Sequence, residues 1–308
     1  DYSKFFCVNV LPEDRMYAIV ATIDFIIGLR EERSSDFLKL VSELSKAYSL
    51  CATMPEAEKL SLEVGFYKGV KAGIIKLIPE ENKKKTASQL DTQINQLISK
   101  SITSDEVINI LDAVGLNHPN IAILSDEFLE EIRGIKQQNV AVELLNKLLT
   151  GKVKSFAKNN LVQSKKFSEK LYASLKKYQN RAIETTQVII ELIELAKQIN
   201  DAHKRGSNMG LSDDELAFYD ALAESESARE VMQDEILKLI AKDLTKTIKA
   251  NMSVDWHVRE SVQAKMRMEI RRLLKKYGYP PDRSDTAIVS VMEQAKEMCN
   301  NQIIANLL

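Results

Sequence analysis

Apolar residues recur every three to four positions along most of the chain, the spacing that gathers them on one face of an α-helix. Val140, Leu144 and Leu148 form one stripe, Val188, Leu192, Leu195 and Ile199 a second, and Val262, Met266, Ile270, Leu273 and Tyr277 a third. Strict apolar/polar alternation bounded by turn residues is scarce, so no sheet is expected. The fold class read from this pattern is all-α, a multi-helix bundle of two packed helical subdomains. Between Thr185 and Ile199 the chain is apolar on more than one side, through Val188, Ile189, Ile190, Leu192, Ile193 and Leu195. That stretch is expected to be the central, most buried helix.

Start and stop signals divide the pattern. Pro12 followed by Glu13 and Asp14 suits a first helical turn. Thr53-Met54-Pro55-Glu56, Thr103-Ser104-Asp105-Glu106 and Ser212-Asp213-Asp214-Glu215 carry the S/T-x-x-E pattern, in which hydroxyl and carboxylate satisfy first-turn N–H groups reciprocally. Pro79 is expected to end the helix begun near Pro55, and Gly278 with Pro280-Pro281 the basic helix that begins near Trp256, whose ring should pack into the core. Two loops are expected, Gly115 to Asn120 and Arg205 to Gly210, with Lys83-Lys84-Lys85 as an exposed connector. The first loop sets the domain division at 1–118 and 119–308. No period of 20 to 50 residues repeats, so a solenoid is not supported.

The 308 residues, 44% hydrophobic and 28% charged, suffice for two helical domains with cores of their own. No apolar run approaches the ~20 residues of a bilayer span. The opening Asp1-Tyr2-Ser3-Lys4 has neither Met nor an apolar leader, as expected of a piece of a longer protein. Cys7, Cys51 and Cys299 stand singly, which fits small apolar residues in a reducing, cytoplasmic setting.

A net charge of −1 hides strong segregation. From Lys147 to Arg181 ten basic residues face Glu169 alone, a net of +9; from Asp213 to Glu235 nine acidic residues face Arg229, a net of −8. Lys152, Lys154, Lys158, Lys165, Lys166 and Lys170 are therefore candidates for contact with phosphates or an acidic partner. Neutralisation by the acidic stretch within the molecule is the competing reading. Arg267, Arg271 and Lys275 add a second candidate set at i, i+4, i+8, a row suited to a DNA backbone or a carboxylate-lined groove. The helix macrodipole explains part of that row without any ligand.

Motifs for catalysis do not emerge. Gly151-Lys152 lacks the upstream glycine of a phosphate loop, and no G-x-G-x-x-G occurs. His118, His203 and His257 are far apart and have no companion at zinc spacing. Glu191 and Glu194 sit at i, i+3 without the histidine of a di-iron helix, and read as surface or pairing residues. No catalytic, cofactor-binding or metal residue is assigned.

Several blocks resemble the C-terminal helical region of the motor and endonuclease (R) subunit of type I restriction enzymes. They are Asp1 to Phe6, Leu44 to Tyr48, Ile123 to Leu129, Tyr178 to Thr185, Glu215 to Leu222 and the basic run from Val254 to Asp282. The resemblance implies a position after two ATP-driven motor domains and a nuclease domain, and contact with the methyltransferase and specificity subunits. The function it implies is a non-catalytic assembly module that docks the ATP-dependent, site-specific deoxyribonuclease onto the methyltransferase core and braces double-stranded DNA through its backbone. It implies no cofactor in this stretch. The alternative is an independent nucleic-acid-binding helical domain whose principal site is the +9 segment.

Overall fold

The structure, a computed structural model, describes residues 12–29, 31–51, 54–77, 124–224, 226–251 and 259–307. Among the described residues every regular element is helical, so the all-α expectation holds. Trp256, His118, His257, Pro79, Lys83 to Lys85, the box at Thr103 and the expected division at 118/119 lie outside the described residues.

Two compact units make up the chain: Asp1–Thr150 with Leu171–Lys197, and Gly151–Lys170 with Gln198–Leu308. The first contains α1 (Pro12–Ile27), α2 (Glu31–Cys51), the single turn α3 (Pro55–Glu58), α4 (Ser61–Leu77) and α5 (Asp126–Arg133). The chain then passes between units inside α6 (Gln138–Asn159), α7 (Leu161–Gln179) and α8 (Thr185–Met209). The second unit is completed by α9 (Asp213–Leu222), α10 (Glu226–Val231), α11 (Asp234–Asn251), α12 (Glu260–Lys276) and α13 (Pro281–Leu307).

In the first unit α1, α2 and α4 pack pairwise. Val20 and Ile23 of α1 and Val70 of α4 are fully enclosed, and Phe66 nearly so. Removing one such side chain from water contributes about 1.5–3 kcal/mol. Leu145 and Leu149 of α6 and Val188 and Leu192 of α8 are likewise buried. Along α8 Leu195, Ala196 and Ile199 are also buried, while Ile190 is 44% exposed, so the helix is enclosed on one side and is not the most buried of the described helices. The second core joins Phe218, Leu222, Leu237, Leu244, Met266, Ile270, Leu274, Val291 and Ala295. There α9 packs on α11 and α13, and α12 packs on α11 and α13.

Several helix ends follow their local chemistry. Ser212 caps α9 in a full capping box with Glu215. Gly278 has φ +70, and the Tyr279 N–H reaches the Leu274 carbonyl at 3.0 Å, closing α12 with a Schellman turn. Thr53, of the expected box, lies outside the described residues; Met54 is the N-cap of α3 without a side-chain bond, and Pro55 takes the first helical position. One expectation is corrected. The segment from Arg205 to Met209 is helix rather than loop. Gly206 lets Leu211 and Leu216 approach so closely that a Cβ there would lie 3.2 Å from the Leu211 oxygen, and only Gly210, at φ +65, turns the chain.

A carboxylate from one helix caps another in the first unit. Asp24 Oδ1 accepts from the Asn139 and Val140 N–H groups at 2.8 and 3.1 Å, satisfying the open N-terminus of α6. The Asn139 side chain donates back to the Asp24 carbonyl and receives the Tyr178 hydroxyl at 2.7 Å. Arg181 then donates to the Gly28 carbonyl at 3.0 Å, so α1, α6 and the end of α7 share one polar junction. Burial, followed by the nearby Glu143 and Asp24 charges, pushes the Tyr178 phenol far above its ordinary range. Asp24→Ala is expected to destabilise the chain by about 2 kcal/mol, read as a lower urea midpoint at unchanged slope.

Candidate functional site

All nine candidate contact residues fall in the second unit. On α6, Val153 and Phe156 turn inward while Lys154 and Lys158 face solvent and Lys152 is half-buried. On α7, Val162, Phe167 and Leu171 are buried, leaving Lys165 and Lys170 exposed and Lys166 half-buried. Arg267, Arg271 and Lys275 lie along the exposed face of α12, opposite buried Met266, Ile270 and Leu274.

The α6–α7 corner that presents the lysines is held by buried polar groups. Asn160, 3% exposed, accepts from the Gln163 N–H at 3.0 Å as the N-cap of α7 and donates to Asp220 at 2.6 Å. Arg205 pairs with the same Asp220 carboxylate. Gln294, 2% exposed, accepts from Leu161 N–H and donates to the Asn159 carbonyl, both at 2.9 Å. The peptide groups freed at Asn159 and Leu161 by the break between the two helices thereby find partners. Sequence reading missed this corner. Asn160 ahead of an apolar run is a recognisable helix start, but nothing in the sequence points to Asp220 or Gln294.

Both candidate sets meet α13. Lys165 pairs with Glu293 at 3.1 Å and Arg271 with Asp285 at 2.7 Å. Those carboxylates are eight residues apart on one helix, a rise of about 12 Å. Lys170 donates to Gln198 at 2.7 Å, and Arg267 to Gln263 on its own helix at 3.3 Å. In the first unit, Lys177 of the basic segment pairs with Glu191 at 3.0 Å.

The acidic segment makes its own arrangements. Asp214 pairs with Lys249 at 2.7 Å, while Asp234 and Glu235 share Lys238 at 2.8 and 2.9 Å. Tyr219 donates to Asp234 as well, and burial together with that carboxylate pushes its phenol up to about 12. The Lys238 ammonium, then the Tyr219 hydroxyl, hold Asp234 below the ordinary carboxylate range. A shallow polar cleft between α11 and α12 is lined by Asp243, Lys246, Glu269, Arg272 and Lys276. Among the described residues no group of three His, Cys, Asp or Glu is placed to hold a metal ion. His203 is exposed on α8 and meets the Phe156 ring edge-on at 5.2 Å. Cys299 is buried, as expected, and Cys51 is partly exposed. Among the described residues no helix is long and apolar enough to cross a membrane.

A family model described as "Type I restriction enzyme HindI endonuclease subunit-like, C-terminal" matches residues 1–301. The chain belongs to this family. It is 32% identical over 271 residues to the type I restriction enzyme HindI endonuclease subunit of Haemophilus influenzae, an alignment covering 88% of this chain and 25% of that protein. It is 31% identical over 251 residues to the "Putative type I restriction enzyme MjaIXP endonuclease subunit" of Methanocaldococcus jannaschii, covering 80% and 24%. The chain thus spans about a quarter of the length of the curated relatives it matches. No solved structure matches it. Within this C-terminal family region, the blocks Tyr178 to Thr185 and Glu215 to Leu222 contain the Tyr178, Arg181 and Asp220 ties described above.

The buried and half-buried ties respond differently to substitution. Asp220→Ala, which leaves Asn160 and Arg205 without their shared acceptor, is expected to cost about 3 kcal/mol in chemical unfolding. Glu191 is held below the ordinary carboxylate range by the Ser174 hydroxyl first and by Lys177 second. A lowered folded pKa contributes stability that is present above the unfolded value, about 4.3, and lost as pH falls through the folded one. Glu191→Gln should therefore show a shallower loss of melting temperature than the wild type between roughly pH 5 and pH 3.

Proposed function

We propose that the chain is a non-catalytic helical assembly module of a type I restriction R subunit, docking the ATP-driven translocase and endonuclease onto the methyltransferase and specificity subunits. In this reading the chemistry resides in parts of the full-length subunit outside this chain. The observation that carries the reading is the family match over residues 1–301, confined to the C-terminal region of endonuclease subunits. Exposed Lys154, Lys158, Lys165, Lys170, Arg267, Arg271 and Lys275 supply positive charge on the second unit, suited to the backbone of double-stranded DNA held beside the assembly. No cofactor belongs to the module, and its setting is the cytoplasm, where chromosomal and incoming DNA are met.

The runner-up, an independent nucleic-acid-binding domain centred on the +9 segment, is favoured by the outward placement of Lys154, Lys158, Lys165 and Lys170. Salt separates the two, because phosphate binding releases counterions whereas a mixed docking face is less sensitive.

The test is co-purification of the full-length subunit with its modification subunits, with and without duplex DNA, over a range of salt concentrations. Complex formation without DNA is expected. Reversing Lys165, Lys166 and Lys170 to Glu is expected to flatten the salt dependence of DNA-containing complexes, by roughly 0.9 in slope for each phosphate no longer neutralised. Failure of the chain to associate with the modification subunits, together with salt-dependent DNA binding by the isolated chain, would select the second reading.

A further inference from the structure

The seam between α2 and α4 in the first unit encloses an ammonium group that has no counter-charge among the described residues. Lys71 is 7% exposed, a burial that lysine rarely tolerates unless paired. Its Nζ donates to Ser42 Oγ at 2.5 Å. The Ser42 hydroxyl itself donates to the Leu38 carbonyl at 2.6 Å, so toward Lys71 it acts as an acceptor. Two of the three ammonium hydrogens thus have no acceptor among the described residues.

Two further lysines bear on the same seam. Lys46 lies one turn beyond Ser42 on α2, and its charge opposes that of Lys71. Lys68 lies one turn before Lys71 on α4, with its ammonium 5.3 Å from the centroid of the Tyr48 ring of α2. None of the three forms an ion pair with a described residue. Burial, and then Lys46, lower the basicity of Lys71, and burial lowers that of Lys68. The arrangement is one that a bound anion would relieve, since an enclosed charge without a partner is costly.

We propose that buried Lys71, with Lys46 beside it and Lys68 one turn away, forms a binding site for a phosphate-class oxyanion. A tetrahedral dianion can take hydrogen bonds from more than one ammonium and balances most of the local positive charge. A carboxylate has one charge and two oxygens on one side, and would leave the set under-neutralised. This site lies in the first unit and does not depend on the docking role, whose candidate residues are in the second.

Thermal unfolding of the 308-residue chain in chloride and in inorganic phosphate, at matched pH and ionic strength, tests the site. Phosphate at tenfold its dissociation constant is expected to raise the melting temperature by about 3 °C. Lys71→Met should abolish that rise while unfolding in chloride at or above the wild-type temperature, because the unneutralised buried charge is gone. Lys46→Gln, at an exposed position, should shrink the rise. A short DNA duplex tests the source: a backbone diester carries one charge, so no Lys71-dependent shift is expected from it, and a Lys71-dependent shift at lower concentration than inorganic phosphate overturns the dianion assignment. An equal rise in wild type and Lys71→Met overturns the proposal, as does no rise in the wild type. If Lys71→Met unfolds at a lower temperature in chloride, the counter-charge belongs to the chain itself and the proposal is likewise overturned.

Discussion

The second unit depends on meeting the hydrogen-bonding needs of the break between α6 and α7. A chain leaving one helix and entering the next exposes carbonyls at the first end and N–H groups at the second, and neither can be buried unpaired. Gln294 spans both by accepting from Leu161 and donating to Asn159. Asn160 caps the new helix and hands its side-chain amide hydrogen to Asp220, which also receives Arg205. Side chains from α8, α9 and α13 are thus fixed to one corner. The basic lysines on either side of it inherit their positions from that polar clamp and from the apolar residues beneath them.

The charge pattern acquires a different meaning in three dimensions. A linear count sets a +9 segment against a −8 segment, as though they were two poles. In the structure Lys165 leans on Glu293, Lys177 on Glu191, and Asp214 on Lys249, each with a partner that the linear count leaves aside. Exposed pairs of this kind contribute little stability individually. Their effect is to fix where positive charge remains outward, and α13 serves both basic sets in that way through Asp285 and Glu293.

Helical class, the buried stripes of α6, α8 and α12, the box at Ser212 and the stop at Gly278 are legible in the sequence because each arises within a few residues. Leu148 and Leu273, placed on the expected stripes, are only partly buried, while Leu274 beside the latter is enclosed. Local reading fails where distant groups decide. Gly206, Ser207 and Asn208 look like a loop, yet close packing against Leu211 and Leu216 makes that glycine useful inside a helix. The Asn160–Asp220 bond joins residues sixty positions apart, and no spacing rule anticipates it. Surface lysines can be named from charge density, but their ion partners cannot. Lys71 gives no signal within an apolar helix, because its burial is a property of α2 lying across it.

Arg181 carries a consequence for sequence variation. It adopts φ +53, the left-handed conformation that follows a helix end, and the Ala182 N–H reaches back to the Lys177 carbonyl at 2.9 Å. Glycine relaxes the backbone at such a position but cannot reach Gly28, whereas a β-branched residue is strained there whatever its polarity. Asparagine tolerates the conformation yet is too short to replace the guanidinium contact. Backbone ease and side-chain reach therefore select different residues at position 181, and an arginine marks a site where reach has outweighed ease.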